Sequence, residues 1–89
     1  MPVLSRVYGI VIRMLCVRAL QARFHAIYGD QELVVGIGPL RILQGDAPQH
    51  VREMVLAWAA QHQSDLQAAW NRCASGLRPE PIQPLSVGE

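Results

Sequence analysis

Lysine is missing from this sequence: all eight positive side chains are arginines. Acidic residues are missing from residues 1–29, which hold Arg6, Arg13, Arg18 and Arg23. Residues 30–89 hold the other four arginines and all seven acids, a net charge of −3. The whole chain carries only +1, too little for a polyelectrolyte binder of DNA. No run of 18 apolar residues occurs, so no transmembrane helix is expected. The apolar stretch from Val7 to Ile12 is broken by Arg13, and no small-x-small cleavage site follows it, so it does not read as a signal-peptide core. The acid-free front has the arginine content of a transit peptide but little of its serine. Cysteine is scarce. Cys16 and Cys73 make no disulfide framework and fit no zinc spacing. They read as two small buried apolar residues in a reducing cytosol, and a cytoplasmic location is expected.

What is present is apolar. Hydrophobic residues make up 51% of the 89 residues and charged residues 17%, which excludes a disordered chain. A chain of this length makes one small domain with a thin core. Gly and Pro punctuate a sheet region over 1–45. Between them lie short runs at Gly9–Val17, Phe24–Tyr28, Glu32–Ile37 and Leu40–Leu43. Separated by turns at Gly29-Asp30 and Gly38-Pro39, they predict an antiparallel meander of three to four strands. Alternation puts Phe24, Ala26 and Tyr28 on one face and His25 and Ile27 on the other; Leu33, Val35 and Ile37 share a face. Met14 to Arg23 is rich in helix formers, and Leu20, Phe24 and Ile27 fall at helical spacing. A helix over 14–27 therefore competes with strand–loop–strand, which we favour.

The helical region, 46–76, is plainer. Asp46 can cap a helix, with Pro48 in its first turn and Gln49 completing a capping box. Val51, Met54, Val55, Trp58, His62, Leu66, Ala69, Trp70 and Cys73 form one stripe. Ser75-Gly76 ends it. Ser64-Asp65 can start a second helix, so the region is one long helix or two joined near Ser64. Pro79, Pro81 and Pro84 keep the tail, 77–89, extended, with Ile82 or Leu85 docking as an edge segment. The fold class is α+β, a two-layer sandwich of a sheet and the helix that covers one of its faces.

Candidate chemistry is sparse. His50 and His62 stand twelve residues apart on the predicted helix, about 18 Å, too far to share a metal. His62 reads as a packed side chain with one hydrogen bond. His25, beside Arg23 on one strand face, is the candidate functional histidine. Asp30 and Glu32 read as solvated turn residues, and Asp46 as a cap. There is no carboxylate pair, Gly-rich phosphate loop, serine elbow or Cys-His motif, so no cofactor and no metal site is expected. Arg13 and Arg23 can emerge on one side of the sheet, with Arg18 in the loop between them and Tyr8, Phe24 and Tyr28 interleaved. Such a face suits RNA, because guanidinium groups grip phosphate and rings stack on bases. A solvated face is the plainer alternative.

The opening M-P-x-x-S-R-x-Y-G-I (Met1 to Ile10) is joined by F-H-A (Phe24 to Ala26), Tyr28-Gly29 and Gly45. Further along come Trp58, His62, Leu66, Trp70, Gly76 and I-x-P-L (Ile82 to Leu85). This collinear set, spanning essentially the whole chain, resembles the bacterial domain-of-unknown-function 4160 family. The resemblance implies a small cytoplasmic protein paired with a second small protein of the domain-of-unknown-function 2442 type. Together they would form a toxin–antitoxin-like unit; no reaction is implied. The family's loop has the form D-H-N-P-P-H-F-H-A. Here the stretch is R-A-L-Q-A-R-F-H-A, Arg18 to Ala26. Ala19 and Arg23 replace two histidines, and Gln21 and Ala22 replace two prolines, so only His25 remains and it cannot hold a metal alone. The lost prolines also account for the helical look of 14–23. The expectation is a non-catalytic binding module that uses Arg13, Arg18, Arg23, His25 and Tyr28. The alternative is a nucleic-acid-acting, ribonuclease-like toxin component with His25 as acid–base group.

Overall fold

The computed structural model describes residues 3–17 and 21–84. Five strands, β1 (Val3–Val7), β2 (Ile10–Arg13), β3 (Arg23–Tyr28), β4 (Gln31–Ile37) and β5 (Leu40–Asp46), precede helices α1 (Gln49–Gln61) and α2 (Gln63–Ala74). The strands form one antiparallel sheet in chain order, and the fold is α+β as expected.

The sheet has five strands rather than three to four, and the extra one is β1. Tyr8 and Gly9, with φ of 50° and 77°, form a tight turn that folds Val3–Val7 back onto β2. Positive φ at both central residues matches the twist of a two-residue hairpin. A register shift between Val3 and Ser5 buries Leu4 and Ser5 in succession, which hides the strand's alternation. The run begun at Gly9 ends as a strand at Arg13, not Val17. Residues 14–17 are in no regular element and β3 starts at Arg23, so a helix over 14–27 does not form.

The helical region is two helices, and the break lies at His62, two residues before Ser64. The capping box at Asp46 does not form. Pro48 is the N-cap of α1 and makes no side-chain cap bond. Asp46 still belongs to β5, and its carboxylate accepts from the Ala47 amide at 2.9 Å and from Arg52 Nη1 at 3.0 Å. It is thus held beside the first turn of α1 rather than in the cap position. At the break, the His62 ring lies 5.4 Å from that of Trp58, and Nδ1 is 3.5 Å from Asp65.

The stripe packs as its spacing requires. Val51, Val55, Trp58, Leu66, Ala69 and Trp70 are buried against Phe24, Leu33, Val35 and Ile37 of the sheet. Burial of such side chains contributes about 1.5–3 kcal/mol each, the main force holding the two layers together. Gln63 adds a polar tie, donating to the Ile37 carbonyl at the end of β4. The tail docks at Ile82, whose amide donates to the Leu4 carbonyl at 2.8 Å, while the Trp58 indole donates to Gln83 O at 2.9 Å. Leu85 lies outside the described residues.

The cysteines do not remain separate thiols. The segment after β2 passes the last turn of α2, bringing the Cα atoms of Cys16 and Cys73 to 5.9 Å, and the two are joined as a disulfide. That distance is ordinary for the bond, and a separation of 57 residues leaves no trace of the pairing in local sequence. No helix among the described residues is long and apolar enough to cross a membrane.

Candidate functional site

The helices cover one face of the sheet, and the other face carries the polar alternation. Strand pairing sorts its residues into rows about 4.8 Å apart from strand to strand. One row runs Arg13, His25, Val34, Gln44 across β2 to β5. A second runs Arg6, Val11, Ile27, Glu32, Asp46 across all five strands. A third sets Arg23 and Arg41 on either side of Gly36. Four arginines from four strands thus share one face with Glu32, while the carboxylate of Asp46, at the end of β5, turns to the first turn of α1.

Both carboxylates already have partners. Asp46 holds Arg52, and Glu32 Oε2 accepts from His25 Nδ1 at 2.6 Å. The His25 side chain is 16% exposed. The ring N–H given to the carboxylate fixes the orientation of the imidazole and leaves Nε2 on its far side. Within the arginine rim, Val11 and Ile27 pair directly, and Val34 lies on the diagonal. Val34 is 9% exposed although it is no member of the interlayer core. The face therefore carries a small aliphatic patch, with Val11 and Ile27 half-buried and Val34 buried, and has arginines at the flanking register positions.

Of the residues expected at the site, Arg13, Arg23 and His25 come together here. Arg18 lies outside the described residues. Tyr28 points to the helix side, where its ring meets that of His50 edge-on at 6.2 Å. Phe24 is buried on the same side against Trp58, and Tyr8 is exposed in the β1–β2 turn. Alternation carries Phe24 and Tyr28 away from Arg23 and His25, so the strands do not build a face of interleaved rings and arginines.

Glu32 is the residue that sequence reasoning missed. A two-residue turn at Gly29-Asp30 pairs Tyr28 with Gln31 and Ile27 with Glu32, which puts Glu32 diagonal to His25. Applying the hairpin register to the predicted turn finds this pair. No group of three or more His, Cys, Asp or Glu is placed to hold a metal among the described residues.

A family model described as "Domain of unknown function (DUF4160)" matches residues 9–71. No curated protein and no solved structure matches.

Proposed function

The chain belongs to the DUF4160 family, and we propose that it is a non-catalytic binding module of a two-protein, toxin–antitoxin-like unit in the bacterial cytoplasm. Its partner is a small protein of the domain-of-unknown-function 2442 type, which meets the open sheet face with an acidic surface. The observation that carries this reading is the aliphatic patch of Val11, Ile27 and Val34 rimmed by Arg6, Arg13, Arg23 and Arg41. An apolar centre with arginine at its margin is the composition of a protein docking surface. Charge complementarity selects an acidic partner and speeds its encounter.

The test is co-purification and titration with the small protein encoded beside this chain. Arg23→Glu combined with Arg41→Glu is expected to weaken binding about tenfold or more, and added salt to weaken the parent complex. Arg78→Glu, in the exposed tail segment, leaves it unchanged. No complex, or a complex indifferent to the double reversal, overturns the reading.

The His25–Glu32 hydrogen bond favours one second reading, an RNA-acting component. In it the carboxylate orients the imidazole as acid–base group and the arginines hold phosphate. RNA cleavage lost in His25→Ala and diminished in Glu32→Gln supports it. Absence of RNA binding at low salt ends it.

A further inference from the structure

We propose that the Cys16–Cys73 bond is a redox clasp that opens and closes in the folded protein. It ties the connection leaving the open sheet face to the end of α2. Cys16 lies three residues past Arg13, the last residue of β2, and Cys73 lies in the last turn of α2. Both are only partly buried, and Leu15 and Val17 beside Cys16 are exposed at 48% and 41%. A reductant can therefore reach the sulfurs without unfolding the core.

What the bond holds is also local. On one side Met14 is wholly buried, and on the other the Ala22 carbonyl accepts from the Ile37 amide, so both ends of the connection are anchored without the sulfurs. At the other partner, Ser75, Gly76 and Leu77 donate to carbonyls of Asn71, Arg72 and Cys73, the last hydrogen bonds of α2. Opening the clasp frees these two segments from each other and leaves the sheet–helix core intact.

The chemistry is thiol–disulfide exchange with a low-molecular-weight disulfide. One cysteine thiolate attacks that disulfide, expels one small thiolate and forms a mixed disulfide. The second cysteine thiolate attacks the protein-bound sulfur, closes Cys16–Cys73 and expels the second small thiolate. Two protein thiols are oxidised, and the small disulfide takes up two electrons and the two protons to become two thiols. Opening reverses these steps with a small thiol as reductant.

The experiment equilibrates the full chain in glutathione mixtures of graded ratio, without denaturant. It reads free thiols by alkylation and mass, backbone amide exchange, and Tm. The expected result is reversible interconversion of bonded and dithiol forms. In the dithiol form, exchange over 14–17 and 73–77 rises about tenfold or more while β3 and β4 stay protected. Tm falls by about 10 °C or more, because a long closed loop is released. Cys16→Ser with Cys73→Ser matches the dithiol form in every mixture. Thiols that stay free in the most oxidising mixture overturn the proposal. So does a bond that yields only in denaturant, or exchange that rises equally through the whole sheet.

Discussion

Trp58→Ala is expected to destabilise the fold by about 3–5 kcal/mol, the cost of removing a large buried ring. A chain of this length has about 4–13 kcal/mol of stability in all, so the loss is a large fraction of it. Trp58 is wholly buried in α1 and joins three parts of the molecule. Its ring meets Phe24 of β3 edge-on at 5.9 Å, it lies against His62 at the helix break, and its indole N–H holds Gln83 of the tail. Alanine leaves a cavity between the layers and an unanswered carbonyl in the tail. A fall in Tm of about 15 °C or more is expected by thermal unfolding. Trp58→Phe keeps a ring and loses the hydrogen bond, so it should recover more than half of that loss. Equal effects of the two variants would refute this account of the residue.

Gly45→Ala is expected to cost about 3 kcal/mol or more, though it adds one methyl group. Gly45 has φ +89°, a region that costs an L-residue about 1–3 kcal/mol. A Cβ there would also collide with the Glu32 carbonyl oxygen and come within 3.3 Å of Leu33 Cα. Both obstacles are backbone of the paired strand, so β4 and β5 must separate for the methyl to fit. Gly76→Ala is the control. Its φ of +82° is similar, but open space surrounds it, so only the conformational strain remains. Urea unfolding should rank Gly45→Ala well below Gly76→Ala in stability. Gly45→Ala should also disturb the His25 ring resonances by NMR, because Glu32 moves with its carbonyl. Similar unfolding midpoints for the two variants would sink the steric argument.

The legible parts of this fold are those where burial and sequence period agree. Phe24 and Ala26 against His25, and Leu33, Val35 and Ile37 together, show their faces because one side of each strand is dry. The helical stripe is legible for the same reason. β1 is not, since a register shift buries Leu4 and Ser5 in succession and erases the alternation. The cap at Asp46 misleads because its carboxylate has a second use, holding Arg52. The disulfide is illegible because its halves meet only after both layers assemble. At the candidate site Arg13, Arg23 and His25 follow from strand alternation. Glu32 needed hairpin register as well, and the aromatic residues failed because alternation turned them inward.

The order of the sheet also has a kinetic meaning. Each strand pairs with its neighbour in the chain, and three of the four links, at Tyr8-Gly9, Gly29-Asp30 and Gly38-Pro39, are two residues long. Each of those closures has a small entropic cost, so the hairpins β1–β2 and β3–β4–β5 are expected to form early and locally. Joining Ile82 to Leu4, by contrast, brings together residues from opposite ends of the described chain. Beside it the Gln83 carbonyl accepts from the Trp58 indole, a contact that needs α1 packed on the sheet, so the tail is expected to be the last strap fastened and the first to let go.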